Sequence, residues 1–582
     1  MRRVAEMGAR LGTGLRRAAL WGVIVAFLAV SAACGDDDDE APATTAAPTQ
    51  AAATQAAPEA DREPEGTLTV IAGFGSERFL LRTATGEAAL SVIAEPLVWW
   101  DWDTDTPTNG AILESFDSTE NADGSVDWVF KIKPGIKFHK GYGEVTADDV
   151  KFTMTEFLKE GSVNANTSII TTFFGKDPDN IVVVDDLTLT IHQPQPMNPI
   201  EVFRVMSPDD GGRTLRPFSK AYFEEVGEDE FARNPVYAGP YEFVSQVPGV
   251  SMTVRAVEDH YRVTPGYADI VYLNVQDDST RVAMLRTGEV DIAQVPARLV
   301  SELESAGLRI AIAQNAVEPF IAFGGLYPTR PNYDPSLPWA GEDPMSDRSI
   351  QVRRALSLAV DRQSIVDKIL FGYGEPGVLS FSFIRPGMPW WNDDWTPDPY
   401  DPEQARQLMA DAGYPDCFDI KIWLINGQVY GPDIGEAVAQ MWEANLGCNV
   451  IRNQADYRPG LRSMLFDRTT GDEGGWTWSF EGGPIVRPTR YACLHGGPTF
   501  ATLTHTELPY FDVLCEQLNK ETDIERQIQL ERELGNEIYR SYPTIPIASL
   551  HLTQGVGPNV GSWDQVSPRR GPLSYLEFVY PE

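Results

Sequence analysis

Hydrophobic and polar residues alternate through residues 129–133, where Phe130 and Ile132 are set against Val129, Lys131 and Lys133. That period of two predicts a strand with one buried face. Pro134-Gly135 follows as a turn into a second short strand. Thr146, with Ala147, Asp148 and Asp149 behind it, reads as the N-cap and first turn of a helix. Further on the period changes: Leu356, Ala359, Val360, Ile365 and Ile369 recur at helical spacing, which marks them as core. A strand is expected over residues 66–71. A helix over 402–412 leads into a strand from 418, and a helix over 434–446 leads into a strand from 449, the order of a β-α-β unit. Trp476, Trp478 and Phe480 stand two apart, so a strand here would put all three on one face, whereas a loop would present Trp476 and Glu481 separately.

The amino terminus carries Arg2, Arg3, Arg10, Arg16 and Arg17 ahead of a mostly apolar run, residues 18–33, that ends in small residues. That run is short for a membrane span, so a cleaved signal peptide over residues 1–33 is the expectation. Ser31-Ala32-Ala33-Cys34-Gly35 is similar to a lipobox, with Ser31 where Leu is usual, and the similarity implies lipid attachment at Cys34. Ordinary secretion and a retained anchor are the alternatives. Residues 34–65, acidic at first and then rich in Ala, Thr, Pro and Gln, hold too little apolar surface to pack and read as a disordered tether.

The formal charge is −37, and residues 1–33 contribute five Arg and one Glu, so the remainder is more acidic still. Such a chain repels phosphate backbones, which argues against nucleic acid as a partner and says nothing of a ligand's charge. Without Cys34 four cysteines remain, an even number in an exported chain. Cys417 and Cys448 each precede a strand of the expected β-α-β unit and come within bridging reach if those strands are neighbours. Cys417 is therefore paired with Cys448 and, by remainder, Cys493 with Cys515. Four cysteines allow three pairings, and free thiols are the other reading. His139, His192, His260 and His551 are too scattered for a metal site, and no cofactor is expected. Asp361-Arg362 reads as a helix-end ion pair. No Gly-x-Ser-x-Gly elbow, His-Glu-x-x-His helix, phosphate loop or dinucleotide fingerprint occurs, so an enzyme, such as a secreted hydrolase, is the remote reading.

Lys133, Gly135, Phe138, His139 and Gly141, followed by Thr146, Ala147, Asp149 and Val150, closely resemble the signature of family 5 of the bacterial extracellular solute-binding proteins, the dipeptide and oligopeptide receptors of ABC importers. The resemblance continues through residues 92–101 (VIAEPLVWWD), 235–243 (PVYAGPYEF, with Tyr237 and Ala238 in place of Gly-Thr), 285–293 (LRTGEVDIA), 352–362 and 400–414. It implies an α/β, cluster-C periplasmic-binding-protein-like fold with two lobes, a hinged cleft and three domains. Domain I would comprise residues 66–98, 236–316 and 541–582, domain II residues 99–235 and domain III residues 317–540. A length far beyond one ordinary core agrees with several domains.

The same resemblance implies a monomeric receptor, lipid-tethered outside the cell membrane in a periplasmic or extracellular space, that hands its solute to a membrane permease. Peptide-binding relatives place a Gly-Trp-Thr-Gly-Asp stretch along the cleft. Here it is matched to Gly475-Trp476-Thr477-Trp478-Ser479, which lacks the Asp; Glu481 is the candidate replacement. The implied ligand-binding residues are Phe74, Trp390, Trp476, Thr477, Trp478 and Glu481. Trp99, Trp100, Trp102, Trp390, Trp391, Trp395, Trp476 and Trp478 would also suit the flat faces of sugars, which keeps an oligosaccharide as the alternative ligand.

Overall fold

The computed structural model of the protein describes residues 63–582 apart from 73–77, 84–88, 102–105, 163, 165–166, 195–198, 209–213, 380–387, 427, 429, 457–460, 462–463, 466–467, 470–475, 483–492, 494–505, 522 and 564–574. The signal peptide, Cys34, the tether to residue 62, Phe74 and Trp102 lie outside the described residues.

In chain order the strands begin with β1 (Thr67–Ile71), β2 (Trp99–Asp101), β3 (Thr106–Thr108), β4 (Leu113–Glu120) and β5 (Val126–Ile132). Next come β6 (Ile181–Asp185), β7 (Thr188–Gln193), β8 (Tyr241–Val247), β9 (Ser251–Ala256), β10 (Asp269–Leu273) and β11 (Ile292–Val295). The long β12 (Arg309–Phe323) leads to β13 (Gly374–Pro376), β14 (Asp419–Asn426), β15 (Asn449–Asp456), β16 (Trp476–Gly482), β17 (Thr544–Pro546) and β18 (Ala548–Val556). One large sheet runs β15-β14-β16-β12-β18-β11-β1-β10-β9-β8, with β13 beside β18 and β17 beside β12; a separate sheet runs β4-β5-β7-β6.

A first hydrophobic core joins β1, β10 and β9 of the large sheet to the separate sheet, through Leu68, Val70, Ile270 and Val254 on one side and Trp128, Phe130 and Ile132 on the other. The far end of the large sheet is covered on both faces, because its strands alternate. Ile321, Phe323, Ile420, Ile422 and Leu424 enter a second core with the helices Asp347–Leu358, Pro402–Asp411 and Gly431–Leu446. Phe320, Ala322, Trp423 and Ile425 enter a third with the helices Pro509–Lys520 and Ile524–Ser541.

The signature segment folds as its sequence reads at both ends but not between them. Phe130 and Ile132 are buried on β5 and Lys131 is exposed. The second short strand is instead a single bridge, Lys137 with Glu144, followed by a turn. Thr146 caps the helix Ala147–Glu156 with a capping box completed by Asp149. Asp149 does more than favour the helix dipole: it also accepts the Lys220 backbone N–H at 3.0 Å and so ties two helices together. Asp361 and Arg362 do not pair as expected. Asp361 caps its helix through the Ser364 N–H at 2.9 Å, while Arg362 turns inward to the Pro546 carbonyl at 2.7 Å and the Ser357 hydroxyl at 2.6 Å.

β14 and β15 are adjacent and parallel, Asp419 opposite Asn449, so their leading ends meet. There Cys417 and Cys448 are bonded, S–S 2.02 Å. Cys493 and Cys515 are bonded at 2.08 Å.

Candidate functional site

β12 packs Ala311 against the first core and sends Ala313 and Ile321 into the second and Phe320 and Ala322 into the third, and β18 belongs to the first and the second. Residues 309–313 of β12 pair with residues 552–556 of β18; the register then shifts between Ala313 and Val317, and residues 318–323 pair with β16 and β17 instead. Ala548, Leu550 and Leu552 of β18 lie in the second core and Val556 in the first. These antiparallel strands therefore carry the chain from one lobe to the other, and the shift in β12 is where they bend. Asn315 sits in it with φ +53°, a left-handed backbone that Asn tolerates better than most residues. Its N–H donates to His551 Nδ1 at 3.1 Å, which requires that ring nitrogen to be unprotonated. Burial pushes the His551 pKa down and supports that state.

Two further contacts lie at the crossing. The Ala297 N–H, just past β11, donates to the hydroxyl of Tyr430 at 3.0 Å, so the first lobe touches the residue that opens the helix Gly431–Leu446 of the second. Glu318 is buried opposite Gly482, which brings the last residue of β16 to the crossing as well.

The sequence-derived ligand residues distribute unevenly about this point. β16 is a strand, pairing with β12 on one side and β14 on the other. Trp476 and Glu481 thus hold positions of opposite parity, about 17 Å apart at 3.3 Å per residue. Glu481 lies at the crossing and Trp476 away from it. Trp478 is in register with Ala322 and Trp423; the side chains of Trp476, Trp478 and Glu481 lie outside the described residues. Thr477 is fully buried and its hydroxyl donates to the Lys421 carbonyl at 2.9 Å, so it stitches the sheet and presents no surface to a solute. Trp390 is fully buried too, edge-on to Trp391 at 6.0 Å between ring centres.

Its neighbours border open space, though little of either ring is exposed. Trp391 and Trp395 pack edge-to-face at 5.3 Å and line a cavity of about 480 Å³ with Glu375, Pro376, Val378, Asp393 and Thr396, beside the edge strand β13. Trp99 and Trp100 serve packing instead: Trp99 stacks under Arg262 at 4.3 Å, and Trp100 is buried beneath Arg204 at 5.2 Å.

Charge in the first lobe is organised for structure. Glu95, fully buried, accepts Arg262 Nε at 2.7 Å and Nη2 at 3.1 Å and the Tyr261 hydroxyl at 3.0 Å. Burial works to raise the Glu95 pKa, but Arg262 and His260 outweigh it and hold the carboxyl below its usual range. His139 of the signature is buried; its Nε2 lies 2.9 Å from the Gly239 carbonyl, and desolvation pushes its pKa down to about 4. It thereby fastens the signature to the segment 235–243. Gly239 there lies so close to the backbone of Val92 and Ile93 that a Cβ would stand 2.5 Å from their atoms. Three of the segments that carry the resemblance, 92–101, 133–150 and 235–243, thus meet here.

Residues 107–480 match the family described as Bacterial extracellular solute-binding proteins, family 5 Middle. The chain belongs to this family. Among curated relatives it is 26% identical to heme-binding protein A of Haemophilus influenzae, over 76% of this chain and 79% of that one. It is 25% identical to the glutathione-binding protein GsiB of Salmonella typhimurium, over 79% and 84%. Of solved structures, the ABC transporter substrate binding protein CtaP of Listeria monocytogenes superposes with a TM-score of 0.70 at 19% identity, over 89% of this chain and all of that one. AppA of Bacillus subtilis, an oligopeptide-binding protein in complex with a nonapeptide, superposes at 0.68 and 19%, over 89% and 99%. These likenesses establish the fold as α/β and periplasmic-binding-protein-like, two lobes about a cleft. Among the described residues no helix is long and apolar enough to cross a membrane.

Asn315, Tyr430 and Gln554, all at the lobe crossing, escaped the sequence reading, and His551 was read there only as a scattered histidine. Only Gln554 left a trace, as a polar residue inside a strand whose other positions on that face are apolar.

Proposed function

We propose that this family 5 protein is the extracytoplasmic receptor of an ABC importer, which captures di- or oligopeptides in the cleft between its lobes and presents the closed form to a membrane permease. The supporting observation is the pair of strands β12 and β18, which link two separately packed cores and bend at Asn315. Two rigid bodies on such a link close when a solute touches both, since only its differential affinity for the closed form shifts the equilibrium. Peptides are favoured because relatives and structural neighbours are named for peptides and for glutathione, itself a tripeptide. Trp476, Trp478 and Glu481 remain our candidates for solute contact on β16, with Glu481 nearest the crossing.

We place domain II at residues 99–235, which contain the whole β4-β5-β7-β6 sheet. Ile545, Ile547, Ala548, Leu550 and Leu552 pack in the second core, which supports a return to domain I nearer residue 553 than 541. Signal cleavage before Cys34 and lipidation there complete the reading, with a monomer tethered to the outer face of the cell membrane.

An oligosaccharide is the second reading, favoured by the cavity in which Trp391 and Trp395 stand beside Glu375 and Asp393, a lining suited to sugar faces and hydroxyls. A melting-temperature panel of alanine peptides and neutral oligosaccharides separates the two. Stabilisation by peptides alone supports the proposal, by sugars alone the second reading, and by neither refutes both.

A further inference from the structure

β18 alternates, so Ala548, Leu550, Leu552, Gln554 and Val556 share one face. The first three belong to the second core and Val556 to the first. Gln554 is the polar residue at the seam between them. It is fully buried, and neither its Nε2 nor its Oε1 has a hydrogen-bond partner among the described residues. Its strand neighbours do not relieve this: Gln554 lies in register with Gln294 of β11 and Ala311 of β12, pairings made through the backbone alone.

A carboxamide offers two donors and an acceptor with two lone pairs, and enclosing one without partners is unfavourable, whereas leucine of similar length would fill the same space at no such penalty. The residue therefore suits a partner that comes from outside the chain. Another group at the crossing matches it in kind: Asn315 Oδ1 in the bend of β12 is likewise buried without a partner among the described residues. Both are neutral. A free carboxylate would satisfy only the donor side of Gln554 and an ammonium only its acceptor side, but a peptide or carboxamide group satisfies both at once.

We propose that Gln554 is a specificity-determining residue of the cleft, which hydrogen-bonds an amide group of the bound solute at the seam between the lobes. This rests on the reading of the cleft as the solute site, and it adds that an internal amide of the solute, and not only its charged ends, is read there. Such a contact also couples binding to closure, because the residue stands on a strand that both lobes share.

The test compares the mature chain with Gln554→Leu and Gln554→Glu, using trialanine and tetraalanine as probes in calorimetric titration and melting each ligand-free protein. The expected result is at least a tenfold loss of affinity in Gln554→Leu with a ligand-free melting temperature equal to or above the wild type. Gln554→Glu, which keeps the acceptor and loses the donor, should also bind more weakly. Affinity within twofold of the wild type in Gln554→Leu, or a clear fall in its ligand-free melting temperature, overturns the assignment. If the wild type binds neither peptide, the peptide reading fails separately, and native mass spectrometry of the proteins as purified then decides: a solute retained by the wild type and lost in Gln554→Leu supports Gln554, and equal retention, including none in either, overturns it.

Discussion

Removing Glu95 should expose how much of the first lobe rests on one buried ion pair. In Glu95→Leu the Arg262 guanidinium loses both hydrogen bonds to the carboxylate, at 2.7 and 3.1 Å. It keeps Glu577 at 3.4 Å and the face of Trp99 at 4.3 Å. Stranding one member of a buried pair costs about 3–5 kcal/mol, and the remaining partners argue for the lower end, about 3 kcal/mol. With an unfolding entropy of about 2.1 cal/mol/K per residue and a cooperative unit of roughly 250 residues, that is a fall in melting temperature of about 6 °C. Scanning calorimetry at neutral pH measures it. The double variant Glu95→Leu/Arg262→Leu should recover much of the loss, because no charge is then left buried. A fall below about 1 °C in the single variant, or a double variant less stable than the single, would refute the account of this pair as mutually dependent.

What the sequence disclosed depended on whether the information was local. The cap at Thr146, the alternation of β5 and the leading-edge cysteines of β14 and β15 are set by near neighbours and periodicity, and the structure places them accordingly. Arg362 was misread because its partners, the Pro546 carbonyl and Ser357, are chosen by tertiary packing; adjacency to Asp361 carries no information when the helix turns one side chain out and the other in. Alternation offered β16 as a strand or a loop and the structure gives the strand, whereas the point where β18 changes cores was illegible for a similar reason. An apolar strand reads the same whichever core receives it, so only Gln554 marks the seam. The motif taken to line the cleft was matched by wording. Its Thr477 proves to be a buried stitch between strands, because a central strand presents its alternate residues to helices on both faces.

Three further outcomes are expected. Cys417→Ser/Cys448→Ser opens a loop whose ends are 31 residues apart and should lower stability by roughly 3.5 kcal/mol under oxidising conditions, a difference that vanishes when both proteins are reduced. Cys34→Ser should move the protein from the membrane to the soluble fraction with its solute affinity unchanged; a membrane-bound variant retaining residues 1–33 would mean an uncleaved anchor. The last concerns acid. His139 is held neutral by burial, its pKa pushed down to about 4 against an ordinary 6.5, and as the neutral ring it donates Nε2–H to the Gly239 carbonyl. Because the unfolded chain takes up this proton first, the stability it represents is whole above pH 6.5 and is lost as the pH falls toward 4, by about 3 kcal/mol in total. His139→Gln keeps a donor for Gly239 without a titrating group. Urea unfolding at pH 7, 5.5 and 4.5 should therefore show the wild type losing more stability than the variant across that interval, while His260, which titrates in both, cancels from the comparison. Parallel losses would mean that the ring is reached by water or protonated in place, and that its bond to Gly239 is not what fastens the signature to the lobe.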